Sequence, residues 1–125
     1  LTPHVIDGPL HLGDLEILSY TQEHGRMPSL GFRFGKFAYS TDVKTLSDEA
    51  FALLDGIDTW IVDTLGEFVH PTHSHLEQTL GWIERLKPRR TILTHMGHRV
   101  DYARFSAKLP DGVEPAYDGM VIEIA

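Results

Sequence analysis

A chain of 125 residues with 42% hydrophobic residues and a mean hydropathy of −0.16 has the composition of one globular domain, which excludes disorder. Eighteen Asp+Glu against 11 Lys+Arg give a net charge of −7, which repels a phosphate backbone and argues against extended nucleic acid as a partner. The absence of cysteine excludes disulfides and thiolate zinc sites; no apolar run approaches the roughly 20 residues of a membrane span and no signal segment opens the chain, so no membrane is expected and the expected location is cytoplasmic.

The chain opens at Leu1 without Met, directly inside the patterned stretch Pro3-His4-Val5-Ile6-Asp7-Gly8, and is expected to be the middle of a longer protein. Residues 15–20 read as a strand that ends in the polar segment 21–26, which sets His24 just past a strand end. Residues 30–34 and 37–41 are aromatic-rich runs joined at Gly35-Lys36, the spacing of a tight β-hairpin, and Asp42 follows the second run at once. Residues 48–54 are good helix formers, with Ser47 as N-cap and Asp55-Gly56 as the stop. Residues 59–62 are a continuous apolar, buried strand. The stretch 67–75 is polar and holds Pro71 with His70, His73 and His75. Ser74-His75-Leu76-Glu77 then fits a capping box, and Leu76, Leu80, Ile83 and Leu86 continue at helical spacing until Lys87-Pro88. Residues 91–93 form a strand that delivers Thr94-His95-Met96-Gly97-His98; residues 102–109 read as a helix and 120–124 as a last strand. Strands alternate with helices after the hairpin, so the content is α/β.

Eight histidines are many for this length, and five fall between positions 70 and 98. His24, Asp42 and His95 each follow a predicted strand directly. Strands that end on one side of a sheet bring their following loops together, so these residues are expected to form a cluster of two imidazoles and a carboxylate. That is a ligand set for a hydrolytic metal site, with Asp42 able to share its oxygens between two ions. On spacing alone each histidine reads equally well as a hydrogen-bonded loop residue, and Tyr39-Ser40-Thr41-Asp42 as a strand ending in an Asx turn.

Four ordered motifs add to this reading. Glu23-His24-Gly25, Tyr39-Ser40-Thr41-Asp42, Pro71-Thr72-His73-Ser74-His75-Leu76-Glu77 and Ile92-Leu93-Thr94-His95-Met96-Gly97-His98 resemble the later motifs of the metallo-β-lactamase superfamily. More narrowly they resemble the branch containing the phosphodiesterase that opens cyclic phosphoribosyl phosphate, as does Tyr117-Asp118-Gly119-Met120. The resemblance implies an αββα sandwich of which this chain is the C-terminal half, with a mixed sheet flanked by helices. It implies that His24, Asp42 and His95 bind two divalent ions, Zn or Mn, with Asp42 as the bridge, and that His73 is the catalytic histidine that acts as general acid or contacts the substrate phosphate. His75 and His98 become substrate-binding candidates, although capping serves His75 equally well and a solvated loop serves His98. Asp63, at the end of a buried strand, reads either as a hydrogen-bond partner of a metal ligand or as an ordinary strand-end carboxylate; His70 shares the histidine loop, and His4 and His11 have no supporting context.

The superfamily's His-x-His-x-Asp-His signature is missing. The nearest string, His73-Ser74-His75-Leu76-Glu77-Gln78, comes after Asp42 and is rejected as a degenerate copy. The expected protein is therefore a hydrolase of a small, cyclic phosphodiester whose isolated segment is inactive, with an incomplete metal site and an uncovered sheet face. That face would pair with the missing N-terminal half or with a second copy in a homodimer. Two alternatives stand beside it: the same fold acting on a lactone, lactam, thioester or RNA end, and a non-catalytic module that has lost its metal site.

Overall fold

The computed structural model describes residues 1–124. Its strands are β1 (Leu10–Leu12), β2 (Leu15–His24), β3 (Met27–Phe34), β4 (Phe37–Ser40), β5 (Thr45–Leu46), β6 (Thr59–Asp63), β7 (Arg90–Thr94) and β8 (Val113–Pro115). Helices α1 (Asp48–Leu54), α2 (Leu76–Leu86) and α3 (Tyr102–Ser106) interrupt them. One mixed sheet results, in the order β1-β2-β3-β4-β6-β7-β8, with β5 beside β2. The meander from β1 to β4 is antiparallel, whereas β4, β6, β7 and β8 run parallel. Each parallel neighbour needs a crossover, and α1, α2 and α3 lie in the three crossovers.

The expected α/β content holds, and so do the hairpin at Gly35-Lys36 and the Ser47 cap, whose hydroxyl accepts from the Ala50 amide at 3.1 Å. Four details differ from the sequence reading. The polar segment after Tyr20 does not leave the sheet: Thr21 to His24 pair with Leu30 to Met27, so His24 is the last residue of β2 and the turn is Gly25-Arg26. Hydrogen bonds from side-chain nitrogen help to hold the polar residues there. The buried Gln22 amide donates to Ser29 Oγ at 3.0 Å and to the Thr41 carbonyl at 2.8 Å.

The capping box does not form. The Ser74 hydroxyl turns inward to the Asp63 carbonyl, and His75 becomes the N-cap of α2 without any side-chain cap bond. At the C-terminus, residues 120–124 form no strand; the last strand is β8, which pairs Thr91 with Val113 and Leu93 with Pro115. Pro115 hid it from the sequence reading, yet a proline is tolerated on a strand at the sheet edge because no ladder bond is required of it there. The predicted helix 102–109 is also short, ending at Ser106.

Register assigns the faces. Ala38, Trp60, Thr91 and Val113 form one cross-strand row, and Ser40, Val62, Leu93 and Pro115 the next. This face joins Tyr20, Leu54 of α1 and Phe105 of α3 in the core, with Leu76, Trp82, Ile83 and Leu86 of α2 packed against it. Tyr20 and Trp60 keep their polar atoms satisfied on Ser40 Oγ, at 2.6 and 2.9 Å. The opposite face carries the row Ser19, Phe32, Tyr39, Ile61, Ile92 and Glu114. Of these only Ile92 is fully buried; Phe32, Tyr39 and Ile61 stay half-buried despite their apolar character.

Candidate metal centre

Topology alone converges the chemistry-bearing residues. Strands β2 and β4 are both antiparallel to β3 and so run the same way; β6 and β7 are parallel to β4. All four therefore end at one edge, where they present His24, the loop residue Asp42, Asp63 and His95. The segment between β6 and α2 returns across that edge and adds His70 and His73.

The three expected ligands do come together. His24 Nε2 lies 3.7 Å and His95 Nε2 4.0 Å from the same oxygen of Asp42, Oδ1. These separations exceed a hydrogen bond. They approach the spacing of two ligands that share a tetrahedral ion, which at about 2.1 Å per ligand stand about 3.4 Å apart. His24 Nδ1 lies 2.8 Å from the Thr72 carbonyl, which can only accept, so Nδ1 carries the proton and Nε2 keeps its lone pair for a ligand role. The donor set of imidazole and carboxylate suits Zn or Mn, and the residues present fit such an ion.

Backbone conformation singles out the same residues. Asp42 (φ 54°) and His95 (φ 62°) adopt the left-handed region, as does one other non-glycine residue among the described residues, Lys87, which caps the end of α2. A left-handed backbone costs a non-glycine residue energy, and such strain gathers at functional sites. Here it turns the chain sharply as it leaves β4 and β7.

His73 stands in the middle of the cluster. Its ring stacks on His95 with centroids 4.5 Å apart and meets the His24 ring edge-on at 4.8 Å; His70 lies 5.3 Å away on another side. Its Nδ1 lies 2.7 Å from Asp63 Oδ2, which also accepts from the Val43 amide at 3.1 Å. Asp63 is completely buried, and its other oxygen, Oδ1, has no partner among the described residues. Burial raises the Asp63 pKa above the ordinary value, while the hydrogen bond from His73 pulls the other way. Asp63 thus hydrogen-bonds His73 rather than one of the three expected ligands. Donor atoms of His24, Asp42 and His73 lie within 4.8 Å of one another, and so do those of Asp63, His73 and His95, so His73 is also within reach of a ligand role.

Of the remaining candidates, His75 caps α2 and belongs to neither donor set, while His98 is exposed and lines a cleft beside the cluster together with His70. His11 is on β1, 3.8 Å from Glu16 and far from these loops in the sheet order. Sequence reasoning missed the Thr72 carbonyl that orients His24 and the Thr41 hydroxyl 3.4 Å from His95 Nδ1; backbone and hydroxyl partners leave no pattern to read.

Comparison with known proteins gives three results. The family described as the β-lactamase superfamily domain matches residues 1–96. Among curated proteins, an octanoyltransferase of Porphyromonas gingivalis is 28% identical over 116 residues, which are 91% of this chain but 24% of that protein. Among solved structures, a diphosphatase from the PhnP family is 31% identical with a TM-score of 0.92, covering 97% of this chain and 48% of that one. Human tRNase Z, short form, is 19% identical with a TM-score of 0.71, over 93% of this chain and 44% of that one, a likeness of fold alone. The chain thus spans about half the length of the structures it matches.

Proposed function

Because the chain belongs to the metallo-β-lactamase superfamily of hydrolases, we propose that it is the C-terminal segment of one of its hydrolytic domains, whose substrate is a small phosphodiester. The observation that carries this reading is the convergence of His24, Asp42 and His95 around one carboxylate oxygen, with His73 held beside them by a buried Asp63. His24, Asp42 and His95 would hold divalent ions, Zn or Mn, with Asp42 as the bridge and the further ligands supplied by polypeptide outside these 125 residues. Such ions, when bound, activate water near neutral pH and offset charge on phosphoryl oxygens.

The chain's own part is positioning and proton transfer. The Thr72 carbonyl holds the His24 ring, and the His95 ring stacks on His73 with the Thr41 hydroxyl 3.4 Å from its Nδ1. His73 has its Nδ1 tied to Asp63 and its ring packed among those of His24, His70 and His95, which suits donation of a proton from Nε2 to a leaving oxygen. Asp63 supplies the negative charge that offsets an imidazolium. His98 lines the adjoining cleft, which supports its role as a substrate contact, and His75, at the start of α2, takes the same role. The 31% identity to a diphosphatase supports hydrolysis at phosphorus over the lactone, lactam and thioester alternatives. The half-buried row Phe32, Tyr39 and Ile61 supports cover by another stretch of polypeptide, either the preceding half of the same domain or a second copy.

Metal analysis and bis-p-nitrophenyl phosphate turnover of the natural protein that carries this chain test the reading. His24→Ala and Asp42→Ala are expected to lower metal content and to abolish turnover. Unchanged metal content and function in both variants would instead identify a module that has lost its site. His73→Ala is expected to abolish turnover with metal content retained; metal loss in that variant would make His73 a ligand.

A further inference from the structure

Beside the cluster, and continuous with it through His70, lies a cleft of about 710 Å³ between the loop after β6 and the segment that runs from Gly97 through α3. Its size suits an organic ligand rather than a bare phosphate or a water network. One wall is apolar, with Leu65, Val100 and the buried Phe105, and Phe68 stands at its rim with 82% of its surface exposed. Charge is distributed unevenly over the rest. Glu67 is neutralised by Lys108 at 2.7 Å, and the Asp101 carboxylate is engaged in capping α3 through the Arg104 amide at 2.9 Å. Arg99 and Arg104 line the same cleft and have no ion-pair partner among the described residues.

Two unpaired guanidiniums against an apolar wall are unexpected in a chain of net charge −7. Guanidinium binds phosphate and carboxylate through paired N–H groups and stacks on flat rings, so the two walls together describe one kind of guest. We propose that this cleft is the subsite for the organic group carried by the substrate, and that it takes an anion with a flat, apolar body of nucleoside size. The proposal rests on the hydrolase reading for the bond that is cleaved, but not for what the cleft binds. His98 then contacts the substrate between the cleft and the cluster.

The test is calorimetric titration of the natural protein with adenosine 5′-monophosphate, ribose 5-phosphate and adenosine. The nucleotide is expected to bind at least tenfold more tightly than either part alone, because ribose 5-phosphate lacks the flat body and adenosine lacks the anion. In the double variant Arg99→Ala/Arg104→Ala, both exchanges being at exposed positions, the advantage of the nucleotide over adenosine is expected to vanish. Equal binding of ribose 5-phosphate and the nucleotide would overturn the proposal, since the apolar wall would then do nothing. Unchanged nucleotide affinity in the double variant would overturn it as well, as would no binding at millimolar concentration. Turnover of bis-p-nitrophenyl phosphate separates the two claims: turnover without nucleotide binding defeats the cleft alone, and nucleotide binding without turnover defeats the hydrolase reading alone.

Discussion

Replacing Asp63 by Asn isolates the one charge that stands behind His73. In the parent, a single oxygen of the fully buried Asp63, Oδ2, accepts from both His73 Nδ1 at 2.7 Å and the Val43 amide at 3.1 Å. Asparagine is the same size and keeps that oxygen, so both hydrogen bonds persist, but neither is charge-assisted any longer. Its new amide group falls where Oδ1 already lacks a partner, which adds a buried unsatisfied donor at a cost of about 1–3 kcal/mol. Against this stands the relief of burying a carboxylate whose pKa is raised by desolvation. The two effects oppose each other, and the net change in stability by urea unfolding is expected to stay within about 2 kcal/mol.

Catalysis has no such compensation. His73 loses the anion that offsets the charge it gains on taking up a proton, and kcat for bis-p-nitrophenyl phosphate is expected to fall roughly 10–100-fold at unchanged metal content. If His73 and Asp63 act as a unit, Asp63→Asn combined with His73→Ala should be no worse than His73→Ala alone. A kcat within about threefold of the parent would refute the reasoning. So would a loss of metal equal to the loss of rate, because Asp63 would then be acting through ion binding.

Two further predictions concern the fold that holds the site. Burial pushes the Tyr20 phenol from 10.0 up to about 12, so the folded state keeps a proton that the unfolded chain releases. The stability this contributes is complete below pH 10 and is lost as pH rises to about 12, amounting to roughly 2–3 kcal/mol; Tyr20→Phe should remove that portion of the alkaline slope in urea titrations. Gly31 lies directly across from Tyr20, and a Cβ there would collide with the tyrosine ring. Gly31→Ala should therefore cost about 1–3 kcal/mol, and a melting temperature equal to that of the parent would show that the ring has room to move.

The parts of the fold that could be read from sequence were those with local periodicity or punctuation. The α2 repeat, the Ser47 cap and the Gly35-Lys36 turn all carry their signals within a few residues. The errors came where partners distant in sequence decide. Gln22 is buried in a strand where Ser29 and Thr41 accept from its amide nitrogen, and Ser74 gives up the capping box for the Asp63 carbonyl. The site shows the same division. His24, Asp42 and His95 were legible as strand-end residues, and the structure brings them together. Asp63 was visible as a strand-end carboxylate, but its bond to His73 depends on the loop between β6 and α2 doubling back by ten residues, which no periodicity encodes. The cleft lined by Arg99 and Arg104 depends on two separate loops and had no counterpart in the pattern.

The left-handed backbone at Asp42 and His95 places fold stability and chemistry in opposition. Glycine at either position would relax the main chain, removing about 1 kcal/mol of strain, and would delete a donor atom in the same stroke. Glutamate or glutamine at position 42 would restore a donor on a longer arm, yet these residues tolerate a positive φ less readily than Asp or Asn. Substitutions that stabilise these two corners are therefore expected to disarm them. A screen for thermal stability alone would drift toward inactive proteins at these two positions, whereas a screen for metal uptake would hold them where they are.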